Sequence, residues 1–377
     1  MLIEFHILKN YPPVNLNRDD SGAPKTCFFG GVQRGRISSQ CLKRSWRRSE
    51  AFEALGSRGV RTRHMPDLVA EKLRAEGVEE AYIEIAKGKL TGVANKDNKE
   101  NKKGAYTSQI VFYAPEDIQR LAEALKEQIV QAGSVKKFEK AEVKDLVKPI
   151  TKDAQSRAIT ADIALFGRMV TSDCFRDVDA AMQVAHAIST HAVNRESDYF
   201  TAVDDLLQDR DELGAGMMGD IDYNSCCYYE YASLDVDQLR TNLDGVQNAD
   251  QLIRDLIPAL AKAMAFTNPS GKQNTFAGQV LPSLILVECK QDKIPLSYVN
   301  AYEEPVSIYG RKSNIVEKSI EKLFDEINAM DAAYGLELRH RIWMAPKTQL
   351  NSLQKGERVA SFDMLCAQIN QWMEEQA

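Results

Sequence analysis

The order of the apolar segments constrains the fold of this chain most. Leu2 to Leu8 alternates, with Ile3, Phe5 and Ile7 on one face and Glu4 and His6 on the other, the pattern of a half-buried strand. A loop punctuated by Pro12, Pro13, Gly22 and Pro24 follows, and then a helix for which Ser38 or Ser39 is the N-cap. Roughly residues 57–160 read as a helical insertion, amphipathic over Glu116–Gln131 and bordered by the polar stretches Thr91–Gly104 and Ser134–Lys148. The apolar pattern then resumes with a strand over Asp162–Met169 and a small-residue helix over Ala180–Ser189. After a hairpin-like excursion come a strand over Tyr223–Leu234, a helix over Gln251–Phe266, a buried strand over Pro282–Cys289 and a helix over Ser313–Tyr334.

With the excursions removed, that order is a split βαββαβ, an α+β ferredoxin-like core of the RRM type. A length of 377 residues fits two domains or one with large insertions. No apolar run approaches the roughly 18 residues that span a bilayer, and the N-terminus reads as a strand rather than a signal peptide, so a cytoplasmic protein with no membrane partner is expected. The seven cysteines are scattered with no CxxC, which predicts reduced structural thiols and no zinc site.

Charge is distributed unevenly. The chain carries 48 Lys+Arg against 54 Asp+Glu, a net −6, yet Ser21 to Ser49 holds no acid. The same stretch holds Lys25, Arg34, Arg36, Lys43, Arg44, Arg47 and Arg48. Gln40, Lys43, Arg44 and Arg47 share one helical face, while Leu42 and Trp46 share another, so the helix can bury the apolar pair and keep its cationic face wet. Arg forks, Lys charges and the hydroxyls of Ser38 and Ser39 are the groups that hold phosphate. Salt screens charges beyond about 8–10 Å, so this local field outweighs the acidic balance of the whole chain. The tract therefore points to nucleic acid or another polyanion.

Other motifs resolve differently. Gly214–Gly219, GAGMMG, matches GxGxxG but lacks the preceding apolar strand and following helix of a dinucleotide site, and fits a loop tip better. His186 and His191 are five apart and read as core or helix-end residues. Asp204 and Asp205 could hold a divalent cation for phosphodiester cleavage, though adjacent residues usually face apart, which favours a cap or turn. Tyr199 and Phe200 could stack on bases or belong to a small core.

In combination, LNRDDSG, FGGVQRGRISSQCLKRSWR, RTRH, ALFGRMVTS, VAHAISTHAV and SDYFTAVDDL closely resemble the CRISPR-associated CasC family, the backbone subunit of the type I-E Cascade complex. The resemblance runs in order from about Leu2 to Tyr231 and more loosely to the C-terminus. It implies a right-hand shape, with a ferredoxin-like palm, a helical fingers insertion and a β-hairpin thumb. The implied bounds are palm at 1–56, fingers at 57–160, palm again at 161–191, thumb at 192–224, and palm completed with the C-terminal region at 225–377. Copies would stack head to tail along one CRISPR RNA, each thumb displacing one nucleotide, with the intervening segments presented for pairing with target DNA. Other Cascade subunits would complete the assembly.

By matching positions, the resemblance sets Arg18, Lys25, Ser38, Gln40, Lys43, Arg44 and Arg47 against the guide backbone, with His64 nearby on the fingers. It sets Met169, Phe200 and Thr201 beside the displaced nucleotide. Arg34, Arg36 and Ser39 from the basic tract and Tyr199 from the excursion complete the expected RNA-binding set. The aromatic RNP1 motif of ordinary RRM proteins is missing, so RNA is expected along the basic helix and thumb rather than on the sheet. The leading expectation is a non-catalytic scaffold without cofactor or metal. The alternative is a metal-dependent backbone subunit that cuts target RNA with Asp204 or Asp205.

Overall fold

The computed structural model describes residues 1–93, 104–142, 159–170, 172, 174–202, 217–309, 314–347, 350 and 352–375. Its contacts divide into two compact units: Met1–Ala51, Gln183–Leu234 and Ile257–Ala377 in one, Phe52–Met182 and Asp235–Leu256 in the other. The second unit includes the residues expected as an insertion over 57–160 together with Asp235–Leu256.

A mixed sheet organises the first unit. Its strands are β1 (Leu2–Asn10), β2 (Thr26–Phe29), β3 (Val32–Ile37), β6 (Met182–Val184), β7 (Ala187–Ser189), β10 (Cys227–Asp235), β11 (Leu284–Lys290), β12 (Leu338–Met344) and β13 (Glu357–Arg358). The order is β13-β12-β11-β1-β10-β7-β3-β2, with β6 also on β10. β1 and β11 are antiparallel from Leu2↔Lys290 to Leu8↔Leu284, whereas β12 and β13 run parallel.

The alternation in β1 predicts one wet face, but all of Leu2–Lys9 is buried. Glu4 and His6 meet partners instead of water. Glu4 accepts from the Tyr231 hydroxyl and the Leu296 amide and pairs with Lys290. His6 Nδ1 lies 2.8 Å from the Tyr229 hydroxyl. Beside them Glu288 is bonded by Arg341 at 2.6 Å, and Arg341 also holds Asp331 on the helix Ile315–Tyr334. Burial alone would raise the Glu288 carboxyl; His6, Arg341 and Lys290 hold it far below the usual carboxylate range. Around this network Tyr229, Tyr231, Tyr298, Tyr302 and Phe324 pack with Leu8, Leu286 and Trp343. That face of the sheet is thus covered by the chain's own aromatics.

β2 and β3 join through Gly30 and Gly31, both at positive φ (58° and 76°), in a two-residue turn closed by Phe29↔Val32. A Cβ on Gly30 would sit 1.7 Å from the Glu303 carbonyl oxygen, whereas one on Gly31 meets nothing within 4 Å. Gly30→Ala should therefore lower unfolding free energy by about 3 kcal/mol and Gly31→Ala by only about 1 kcal/mol, strain plus overpacking against strain alone. Urea midpoints of the two variants check this; equal losses would mean the close approach to Glu303 is relieved at no cost.

Two segments differ from their sequence pattern. Ala180–Ser189, expected as helix, supplies β6 and β7, because β7 completes the ladder between β3 and β10. Asp162–Met169, expected as a strand, begins as the helix Ala161–Phe166, where Asp162 Oδ1 accepts from the Thr160 hydroxyl and the Gly59 amide. Short apolar runs do not distinguish the two states by periodicity.

In the second unit α3 (Met65–Ala75), α4 (Glu80–Val93), α5 (Pro115–Ala132) and α6 (Val135–Lys140) share a core of Leu73, Ile83, Leu90, Leu121, Leu125 and Phe138. Beside them β4 (Val60–Thr62) pairs with β5 (Val111–Tyr113). Among the described residues no helix is long and apolar enough to cross a membrane, and no three His, Cys, Asp or Glu side chains are grouped to hold a metal ion.

Candidate nucleic-acid interface

The helix α1 (Ser39–Arg47) follows β3 directly, with Ser38 at its N-cap. Leu42 and Trp46 are 2% and 1% exposed, which fixes the rotation of the helix about its axis. That rotation leaves Gln40 and Arg44 exposed and Ser39, Lys43 and Arg47 half-buried. Ser38 is buried, and its amide donates to Asn17 Oδ1 at 2.9 Å, tying α1 to the loop before β2. The same loop folds back through an Arg18–Pro24 bridge and a Lys25 amide bond to the Asn17 carbonyl. Arg18 is exposed and Lys25 half-buried on it.

Two neutral groups record the field of this strip. Arg36 Nη1 donates to Nδ1 of exposed His186 at 3.0 Å, so that nitrogen carries no proton. The His186 pKa is held below its usual value by partial burial and by Arg36 and Lys25. Burial pushes the Cys41 thiol up, against the pull of Lys25 and Arg44. Lys25 thus acts on both groups.

Arg34 is a correction. It is fully buried, and its guanidinium donates to the carbonyls of Phe29, Ser189, Tyr302 and Glu303. Every bond goes to the protein's own backbone, so Arg34 ties β3 to the segment around Tyr302 and offers nothing to a ligand. His191 is likewise internal, with Nε2 accepting from the Cys227 amide at 3.2 Å.

β8 (Glu196–Ala202) and β9 (Met217–Tyr223) form a separate two-stranded hairpin. Side chains alternate across it, so Phe200 lies on one face and Tyr199 and Thr201 on the other. Phe200 stands opposite Gly219, where a Cβ would come within 2.8 Å of its ring. Tyr199 is 65% exposed and donates to Met218 Sδ at 3.0 Å. Asp204, Asp205 and Gly214–Gly216 lie outside the described residues, as do parts of the two polar stretches bordering the insertion.

His64 and Met169 belong to the second unit. His64 is exposed before α3, its Nδ1 3.1 Å from Asp67. Met169 is 86% exposed. His186, expected as a core or helix-end residue, is instead exposed beside Arg36, and sequence reasoning missed Asn17, whose role in anchoring Ser38 depends on a contact across 21 residues.

A search of curated proteins finds no match. A solved chain described as "CRISPR RNA-guided surveillance complex, pre-nicking" is 29% identical, superposes with a TM-score of 0.85, and is covered over 100% of its length by 99% of this chain. A second, "CRISPR RNA-guided surveillance complex", shares the fold at 23% identity and a TM-score of 0.74, with 99% and 100% coverage. The family model described as CT1975-like protein matches residues 3–371. The chain belongs to this CT1975-like family of Cas proteins, and its resemblance to CasC stands.

Proposed function

We propose that this chain is a CRISPR RNA-binding backbone subunit of a Cascade-type surveillance complex, holding the guide without cutting it. The observation that carries the reading is the acid-free tract Ser21–Ser49, folded so that Leu42 and Trp46 anchor α1 while Gln40 and Arg44 stay exposed and Lys25 and Arg36 half-buried. Such groups grip phosphate and ribose and leave base identity unread, which suits guides of varied sequence. The similarity to chains of RNA-guided complexes supports the same partner.

In this reading the nine-stranded sheet with α1 is a ferredoxin-like palm, the second unit the fingers, and the β8–β9 hairpin the thumb of a right hand. Copies stack head to tail, a heterologous contact that gives an open array and exposes guide segments for pairing with target DNA. The protein, purified with its bound material, should elute as a large species with high absorbance at 260 nm relative to 280 nm. A monomer free of nucleic acid and indifferent to added RNA in low salt would remove the reading. Incubated with Mg²⁺ and complementary RNA, the assembled complex should leave both strands intact.

The hairpin makes a second expectation. Glu196 and Asp198 lie on the Phe200 face of β8–β9 and Asp220 and Asp222 on the Tyr199 face, so both faces repel phosphate and contact with RNA rests on stacking by the Phe200 ring. Phe200→Ala should lower overall affinity by only about fivefold, since one stacking contact is worth roughly 1 kcal/mol. It should erase the periodic displaced-nucleotide signal in chemical probing of the bound guide. An unchanged footprint would remove Phe200 from that role.

A further inference from the structure

The sheet face turned away from the tyrosine cluster holds a buried acid and a buried base. Alternation along β1 puts Lys9 on the face of Ile3, Phe5 and Ile7. Alternation along the neighbouring β10 puts Glu230 on that same face, since Tyr229 and Tyr231 share the other one with His6 and Glu4. Lys9 and Glu230 are each 1% exposed. Both Glu230 carboxyl oxygens are buried without a hydrogen-bond partner among the described residues. Lys9 is near enough for the two charges to act on each other. Its Nζ nevertheless donates to the Thr267 carbonyl, at 2.9 Å.

That choice of acceptor is informative. Hydrogen bonds to an ionised acceptor are roughly twice as strong as those to a neutral one. A carboxylate left unpaired in a buried layer also costs far more than the neutral acid. A lysine that bonds a carbonyl beside such a group therefore describes the arrangement in which Glu230 is neutral. The other groups around Glu230 bring no charge to offset it. Burial pushes up both the Tyr11 phenol, just after β1, and the Cys41 thiol, on α1, and Glu230 pushes the same way, so both stay protonated. Lys25 and Arg44 act on Cys41 in the opposite sense. The Tyr11 hydroxyl is committed to Asn268 Oδ1 at 2.7 Å.

We propose that Glu230 and Lys9 form a pH-sensitive latch on the segment that begins at Thr267. With Glu230 neutral, Lys9 holds the Thr267 carbonyl. With Glu230 ionised, the carboxylate takes the ammonium and the carbonyl is released. The segment extends the effect, because the Asn268 amide donates to Gln279 Oε1 and the Val280 carbonyl, both at 3.1 Å. Gly271 carries it to the loop before β2, where a Cβ would sit 2.3 Å from the Leu16 carbonyl oxygen. The sign of the pH effect follows from burial, which raises the Glu230 carboxyl against the pull of Lys9. The fold binds this proton more tightly than the unfolded chain does. That stability is complete below the usual carboxylate range and is lost as pH rises through the raised value. Lys9, shifted down by burial, has the opposite sign: its cost to the fold is relieved as pH rises toward the ordinary lysine range. The latch does not depend on what the protein binds.

Hydrogen exchange of the full-length protein, corrected for the intrinsic rise of exchange with pH, reads the latch at the Thr267, Asn268 and Gly271 amides. In wild type their protection should fall about tenfold in one step as pH rises above the usual carboxylate range, the worth of one charge-assisted hydrogen bond. The carboxyl-carbon NMR shift of Glu230 should titrate over the same interval. Glu230→Gln, neutral at every pH, should keep the protected level throughout, and Lys9→Met should show the unprotected level throughout. A wild-type profile without the step, the same step in Glu230→Gln, a Glu230 carboxyl that titrates elsewhere, or a protected segment in Lys9→Met overturns the latch. Wild type and Glu230→Gln decide it even where Lys9→Met fails to fold.

Discussion

Lys43→Ala/Arg44→Ala/Arg47→Ala should weaken RNA binding by about 100-fold at low salt and change its salt dependence, while the protein stays folded. The fold survives because Leu42 and Trp46, which hold α1 in place, are untouched. The affinity falls because three cations leave one surface, each worth on the order of 1 kcal/mol or more toward phosphate. If about five phosphates are neutralised per protomer, log K falls with log[salt] at a slope near −3.5, using roughly −0.7 per contact on a single strand. The triple variant should show a slope near −1.4 on the same rule. Between 50 and 200 mM salt the wild type then loses roughly a hundredfold in affinity and the variant roughly sevenfold. The losses should not depend on spacer sequence, since phosphates carry none. A titration in which wild type and variant share one slope would take α1 out of the interface.

That prediction uses the part of the site most legible in the sequence. A run without acids, with cations at helical spacing and an apolar pair on another face, specifies both the helix and its rotation locally. The hairpin was legible differently: a Gly-rich centre with strand-like flanks suggests an excursion, and the bounds 192–224, within which β8 and β9 fall, come from the family resemblance. What failed to show were features decided across strands. Ala187–Ser189 has small residues that suit a helix, and becomes a strand because β3 and β10 leave a gap for it in the ladder. Glu4 and His6 look wet on β1 because nothing nearby shows that Tyr231, Leu296, Tyr229 and Lys290 converge on them from more than 200 residues away.

Arg34 shows the same limit within the basic tract itself, and the two roles open to it make opposite predictions. As an RNA contact it would behave like Arg44. As an internal tie, its loss strands the carbonyls of Phe29, Ser189, Tyr302 and Glu303 without their donor. Arg34→Met, which keeps much of the side-chain volume, should therefore lower unfolding free energy by about 3–5 kcal/mol, the cost of breaking a buried charged group's bonds from one side. Urea denaturation would read this as a lower midpoint with little change in slope. RNA affinity per folded molecule, measured where the variant remains native, should stay within about twofold of wild type, and its salt slope should not change, because no phosphate contact is lost. A variant of native stability whose salt slope drops by about 0.7 would return Arg34 to the RNA surface. The cations of the tract then divide by exposure: those on α1 and its loop face the polymer, and Arg34 holds β3 to the Tyr302 segment so that α1, which follows directly, starts from a fixed point.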